Sequence, residues 1–293
     1  MIYLILKKNS KRADINLIVK TWNQPSVFRM LNKDNLWGLK YFSNDPLYLL
    51  ILPYCFFQPI CKLLAKESGF YEKHKDLWKN IMIGYNLIIT LFSFASTVTM
   101  IYCLINLKKG VFSIGHFQDE LVGETYSKVV YLFYVSKYIE FLDTYFLILR
   151  NRPVIWHQYL HHIGAALDMG IIYHFQIEGA WIFVVFNGVI HTLIYYYYAC
   201  CIMRWEISLS AQLITWLQMI QLVTGLGVCG FYCFIEDYWN RSEKRFVFYF
   251  SYAYVLMNVF MLFNFFRLQN YREKEKNRDN QNDTIRDKTN LCF

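Results

Sequence analysis

Residues 81–105 read IMIGYNLIITLFSFASTVTMIYCLI, a run of 25 residues without Asp, Glu, Lys or Arg. An α-helix that crosses a lipid bilayer needs about 20 mostly apolar residues, and this run exceeds that length. The stretch therefore predicts a transmembrane helix, and the remainder of the chain is best understood by working outward from it.

Six further apolar segments accompany this run, and together they predict an all-α, polytopic membrane protein with about seven transmembrane helices. The seven segments are 47–64, 81–105, 129–149, 154–175, 180–203, 213–235 and 246–266. The first contains Pro53 and Pro59, so a kink is expected there. The fourth is the weakest by hydropathy, because it contains four histidines and an aspartate.

The composition supports a membrane protein and argues against a nucleic-acid-binding one. Hydrophobic residues make up 56% of the chain and charged residues only 18%, whereas soluble domains are roughly 45–50% apolar and ~25% charged. The net charge of +8 does not form a basic face, since Lys and Arg lie between the apolar runs. Seven of the eight cysteines fall inside apolar segments, which predicts buried thiols rather than a disulfide framework.

Three regions follow from these patterns: an N-terminal lead, residues 1–45; a membrane domain, residues 46–268; and a flexible charged tail, residues 269–293. Loops on the side of the tail carry 15 Lys and Arg residues and the opposite loops carry six. Because positive loops stay in the cytosol, the tail is predicted to be cytosolic and the lead non-cytosolic. The eight Lys and Arg residues of the lead itself disagree with this assignment.

The third segment carries residues that membrane helices seldom contain, namely Lys137, Glu140, Asp143 and Thr144. Their spacing of three and four places all of them on one helix face. Ionisable side chains inside a membrane are costly and indicate a functional site by default. The same spacing also suits a structural ion-pair network that positions helices, and the residues alone favour neither interpretation.

The fourth, fifth and sixth segments also place polar residues three or four positions apart, which predicts that they line one polar cavity. These residues are His157, Gln158, His161 and His162, then Asn187, His191, Tyr195 and Tyr198, then Thr215, Gln218 and Gln221. Clustered imidazoles suit metal binding or catalysis by a histidine base or nucleophile. Membrane di-iron enzymes need more histidines than the seven in this chain, so we predict no metal site.

Four motifs in this order resemble those of the ELO family of very-long-chain fatty acid elongases, which are 3-ketoacyl-CoA synthases. The pattern KxxExxDT is unbroken from Lys137 to Thr144, and HxxMYxYY begins at His191 with Ile194 in place of Met. TxxQxxQ begins at Thr215. The usual HxxHH box is QxxHH here, because Gln158 stands at its first position, where we expect it to form hydrogen bonds.

The resemblance implies a condensing enzyme in which helices 2–7 enclose a narrow acyl tunnel. An acyl-CoA enters from the cytosol, its acyl group passes to an imidazole, and malonyl-CoA loses CO2 to give an enolate that attacks it. His161 is then the nucleophile or base, and His191 is its partner. Asn187, Gln218, Gln221 and tyrosine hydroxyls would supply donors to the enolate, and Lys137 would attract CoA phosphates or malonate, or serve only the ion pair.

The resemblance also implies the cellular setting. CoA thioesters are the substrates and no cofactor is expected. A ketoacyl reductase, a dehydratase and an enoyl reductase would complete the cycle in the endoplasmic reticulum membrane, with a homodimer as a further partner to test. Two alternatives from other classes stay open at this point: a seven-helix lipid-binding receptor or transporter, and a metal-dependent membrane lipid oxidase.

Overall fold

A computed structural model describes residues 45–235 and 240–290 of the chain. In these two ranges the regular structure is entirely helical, with nine α-helices, three short 3₁₀ turns and no strand. The helices are α1 Ile51–Ser68, α2 Phe70–Lys73, α3 Lys75–Ile105, α4 Gly123–Ile139, α5 Phe141–Leu149, α6 Trp156–His174, α7 Ala180–Met203, α8 Ala211–Gly230 and α9 Ser242–Asn290. The all-α prediction is confirmed, whereas the predicted lead lies outside the described residues except for Asp45.

Helices occupy all seven predicted segments, and the third segment is divided into α4 and α5 at Glu140. Four helices are long and apolar enough to cross a membrane by length and composition, with windows within Lys75–Ile105, Ala180–Met203, Ala211–Phe234 and Ser242–Leu268. The helices in the other three segments, α1, α4 with α5, and α6, have prolines or ionisable residues in their sequences, which lower their hydropathy. The chain is thus a polytopic membrane protein. Its more polar helices, α4, α5 and α6, carry many of the residues predicted to form the functional site.

The longest apolar helix, α3, turns its large apolar side chains outward. Ile88, Leu91 and Phe94 are 66%, 68% and 57% exposed, whereas Ser93 and Thr97 are buried. This distribution is typical of membrane helices, because lipid solvates apolar side chains and small residues let helices approach closely. α3 packs its small-residue face against α7.

Five helices form a closed ring around a cavity. α4 packs against α6, α6 against α9, α9 against α8, α8 against α7 and α7 against α4. The ring therefore contains predicted spans 3–7. The second span, α3, packs against both α7 and α4, and none of its described residues lines the cavity; its predicted part in enclosing a tunnel stays a prediction.

A buried ion pair between Glu178 and Lys244 lies near the beginnings of α4, α7 and α9. The Lys244 Nζ lies 2.6 Å from both carboxylate oxygens, and the Gly115 amide donates to Glu178 Oε1 at 3.0 Å. The Tyr126 hydroxyl donates to the Glu178 carbonyl at 2.5 Å. Since these groups belong to two loops and to the beginnings of α4 and α9, the ion pair and its hydrogen bonds hold these elements together.

The last helix continues beyond the membrane segment as far as Asn290. Residues 269–290, predicted as a flexible tail, are thus helical rather than irregular in the structure. The segment contains no Gly or Pro, the two residues that most disfavour a helix. Its flexibility and its cytosolic location stay predictions.

Candidate active site

The cavity inside the ring has a mainly apolar wall with a small number of polar side chains. It comprises about 690 Å³ of atom-free space, a volume that includes open solvent at its mouth. Its polar residues are Lys137 on α4, His161 and Asp168 on α6, Asn187 on α7, Gln221 on α8, and Ser251, Tyr252, Tyr254 and Asn258 on α9. An apolar cavity with convergent polar groups is suited to an amphipathic substrate.

His161 is held by two residues of α9. Its Nδ1 lies 3.1 Å from Asn258 Oδ1 and 3.1 Å from the Tyr254 hydroxyl. The Tyr254 hydroxyl donates to the His161 carbonyl at 3.0 Å, and the Asn258 amide nitrogen donates to the Tyr254 carbonyl at 2.8 Å. Because Asn258 thereby presents its oxygen to the imidazole, Nδ1 carries the proton and Nε2 keeps its lone pair.

A second group forms around Lys137 and Glu140, both of which are buried. The Lys137 Nζ donates to Glu140 Oε1 at 2.7 Å and to Asn187 Oδ1 at 2.8 Å. His191 Nδ1 lies 3.4 Å from the same Glu140 oxygen, without hydrogen-bonding geometry. The contact between one cation and one anion makes this burial tolerable, since an isolated buried charge would be far more costly.

Asp143 and Thr144, the other two polar residues of the third segment, form contacts with neighbouring helices. The Tyr195 hydroxyl donates to Asp143 Oδ2 at 2.5 Å, and His162 Nε2 lies 4.0 Å from the same oxygen. The Thr144 and Tyr54 hydroxyls are 2.8 Å apart, which joins α5 to α1. The face therefore binds three helices together as well as contacting two histidines.

Comparison with known proteins identifies the family of the chain. Residues 42–279 match the family described as ELO: GNS1/SUR4 family. The chain belongs to this family. Fatty acid elongase sre1 of Dictyostelium discoideum is 30% identical over 205 residues, which is 69% of this chain and 71% of that protein.

Two further relatives carry similar names over shorter alignments. Very long chain fatty acid elongase 3 of Mus musculus is 30% identical over 183 residues, 61% of this chain and 63% of that protein. Very long chain fatty acid elongase 4 of Trypanosoma cruzi is 32% identical over 150 residues, 49% of this chain and 52% of that protein. The chain thus spans about half the length of the trypanosome relative.

Within this GNS1/SUR4 protein, the predicted site residues separate into two sets. Those that line the cavity are Lys137, His161, Asn187 and Gln221. Those outside the lining are Glu140, Asp143, Thr144, Gln158, His162, His191, Tyr195, Tyr198, Thr215 and Gln218. Thr215, for example, donates to the Ala211 carbonyl of its own helix at 2.9 Å. No hydrogen bond joins His161 to His191 among the described residues, so their partnership stays a prediction.

The motif analysis missed the contribution of α9 to the site. Tyr254, Asn258 and Ser251 all line the cavity, and Asn258 is only 1% exposed. A buried Asn in an apolar segment was an available signal, because polar residues in membrane helices usually have a function. Across residues 45–235 and 240–290, no three His, Cys, Asp or Glu side chains lie close enough together to hold a metal ion.

Proposed function

We propose that this protein is a fatty acid elongation enzyme that catalyses the condensing step. An acyl-CoA and malonyl-CoA would give a 3-oxoacyl-CoA two carbons longer, CO2 and CoA. The observation that carries the proposal is His161, an imidazole in the wall of a mainly apolar cavity whose Nδ1 is engaged by Asn258 and Tyr254. The membership of the GNS1/SUR4 family and the names of its relatives support the same reaction.

In the first half-reaction, His161 Nε2 attacks the thioester carbonyl. A carbon–nitrogen bond forms, the carbon–sulfur bond breaks, and CoA leaves as a thiolate that takes up a proton. A neutral imidazole is nucleophilic near pH 7. The apolar wall keeps water away from the acyl-imidazole, which would otherwise be hydrolysed.

In the second half-reaction, malonyl-CoA loses CO2 and the electron pair of the broken bond forms an enolate. The enolate carbon attacks the acyl carbon, and the bond to Nε2 breaks and returns its electron pair to the imidazole. Developing negative charge on the enolate needs nearby donors. Lys137, with Asn187 and Gln221 beside it in the lining, is the cationic group of the cavity wall and is proposed to attract the malonyl group.

The reaction uses CoA thioesters and requires no bound cofactor. Its 3-oxoacyl product must next be reduced, dehydrated and reduced again, so a ketoacyl reductase, a dehydratase and an enoyl reductase are the proposed functional partners. We place the enzyme in the endoplasmic reticulum membrane with its C-terminus in the cytosol, where CoA thioesters are available. We also propose that the enzyme forms a homodimer.

The test combines a condensation assay with trapping of the intermediate. Membranes that contain the protein are supplied with labelled malonyl-CoA and acyl-CoAs of increasing length, and 3-oxo products are identified. His161→Ala should abolish product, whereas His157→Ala, which removes an imidazole outside the cavity lining on the same helix, should retain it. With labelled acyl-CoA alone, the wild-type protein should acquire a hydroxylamine-sensitive label and His161→Ala should not.

An active, folded His161→Ala protein would contradict the assignment of the nucleophile. Binding of acyl-CoAs without CO2 release from malonyl-CoA would instead favour a binding or transport role. Stoichiometric iron would favour an oxidase.

A further inference from the structure

One carboxyl group in the cavity has no role in the proposed condensation. Asp168 lines the apolar part of the wall and is 1% exposed. Its Oδ1 accepts a hydrogen bond from the Ser251 hydroxyl at 2.6 Å. Its Oδ2 is buried and has no hydrogen-bond partner among the described residues. A buried carboxyl oxygen without a partner is costly, so a function for it is to be sought.

Asp168 lies further along α6 than His161. It follows His161 by seven residues on α6, so the two side chains share one helix face and are about 10 Å apart along the axis at ~1.5 Å per residue. Ala165 of the same face lines the wall between them. An acyl chain attached at His161 that follows α6 would therefore pass Asp168 well beyond its thioester carbon.

A second, smaller cavity shares part of its wall with the main cavity beside Asp168. This smaller cavity is lined by Phe183, Cys229 and Ser251, which line the main cavity as well, and it extends to Tyr232 and Val247. An acyl chain that follows α6 from His161 and bends toward these residues would extend beyond the carboxyl group. On that path the unpaired oxygen would lie beside the middle of the chain rather than its terminal methyl.

We propose that Asp168 and Ser251 form a polar subsite that binds a hydroxyl group in the middle of the acyl chain, so that the substrates include hydroxylated long-chain acyl-CoAs. This inference rests on the proposed function. A hydroxyl is small and donates a hydrogen bond to the free Oδ2, which satisfies the carboxyl group. A second carboxylate on the chain would be repelled by Asp168, and a plain methylene chain would leave Oδ2 unpaired.

The experiment uses the full-length protein in membranes and a series of saturated acyl-CoAs of equal length. One member is unsubstituted, and each of the others carries a single hydroxyl at a different carbon. We expect kcat/KM to exceed that of the unsubstituted parent by about tenfold at one mid-chain position, the effect of one hydrogen bond to a carboxyl group. Hydroxyls near the thioester or at the chain end should give no gain.

Variants identify the group responsible. Asp168→Leu should remove the hydroxyl preference while the unsubstituted parent is still elongated, and Ser251→Ala should reduce the preference. Met169→Leu is the matched control, because it changes the adjacent wall residue to another apolar side chain of similar size and should keep the preference. If Asp168→Leu fails to fold, the positional series on the wild-type protein and the Ser251→Ala variant still provide the test.

The outcomes separate the two proposals. Normal elongation of the parent with no preferred hydroxyl position would overturn the subsite and leave the condensing function intact, as expected if Asp168 only holds a water molecule. No elongation of the parent or of any hydroxylated acyl-CoA by folded protein would overturn both.

Discussion

Replacing Lys137 by Met should destabilise the protein because it leaves a buried carboxylate without its cation. Lys137 and Glu140 are both 2% exposed, and the Lys137 Nζ contacts Glu140 Oε1 at 2.7 Å and Asn187 Oδ1 at 2.8 Å. The ammonium group also lies 4.1 Å from the centre of the Phe133 ring. Met occupies a similar volume and keeps the apolar stem, so the substitution removes the charge and the two hydrogen bonds.

Removing one partner of a buried ion pair costs about 3–5 kcal/mol, whereas replacing both partners by uncharged residues is often close to neutral. Lys137→Met should therefore lower the free energy of unfolding by ~3 kcal/mol or more. The double variant Lys137→Met/Glu140→Leu should recover most of that loss. Equilibrium unfolding in detergent micelles measures both, and the condensation assay should show that the double variant, although stable, has lost activity.

Two results would refute this reasoning. A Lys137→Met protein as stable as the wild type would mean that the ion pair does not contribute to the folded state. A double variant that regains both stability and activity would mean that Lys137 and Glu140 serve only to position helices, which would remove the proposed role of Lys137 at the malonyl group.

Two glycines provide further predictions. A Cβ at Gly164 would lie 2.2 Å from Tyr254 Cε2. Gly164→Ala should therefore displace the Tyr254 hydroxyl from the His161 imidazole and lower kcat at least tenfold. Gly227→Ala is the control and should keep wild-type kcat, because a Cβ there meets no atom within 4 Å. A Cβ at Gly188 would lie 2.2 Å from Thr97 Oγ1, so Gly188→Ala should reduce the free energy of unfolding by about 1–3 kcal/mol. Adding Thr97→Ala should restore that stability in the same unfolding assay, and a double variant no more stable than Gly188→Ala would contradict the steric explanation.

The sequence predicts the helices well because membrane solvation imposes a simple rule. A run such as 81–105 has no alternative to a helix in lipid, since every backbone group must be paired within the segment. The polar faces were predictable for the same reason: Lys137 and Glu140 are three positions apart, and a helix brings them into contact whatever surrounds it.

Contacts between helices distant in sequence were not predictable in this way. Tyr254 and Asn258 reach His161 across more than 90 residues, and their contact depends on how α6 and α9 pack. The packing of α3 against both α7 and α4 depends in the same way on contacts between distant helices. The spacing of residues along one helix shows on which face of that helix each residue lies. It does not show which neighbouring helix packs against that face.

The surroundings of His161 and His191 suggest different tasks within the proposed reaction. His161 is held by an amide oxygen and a tyrosine hydroxyl, both neutral, which suits an imidazole that attacks as a neutral nucleophile. His191 lies 3.4 Å from the Glu140 carboxylate, an arrangement that suits an imidazole that takes up and releases a proton. We therefore propose that His191, although it lies outside the lining of the cavity, is the source of the proton that the departing CoA thiolate takes up. His191→Gln should then slow the acylation of His161 by an acyl-CoA more than its acylation by a thioester whose thiolate is a weaker base. The less basic thiolate is a better leaving group, so its departure depends less on protonation. Equal slowing with both thioesters would contradict the assignment.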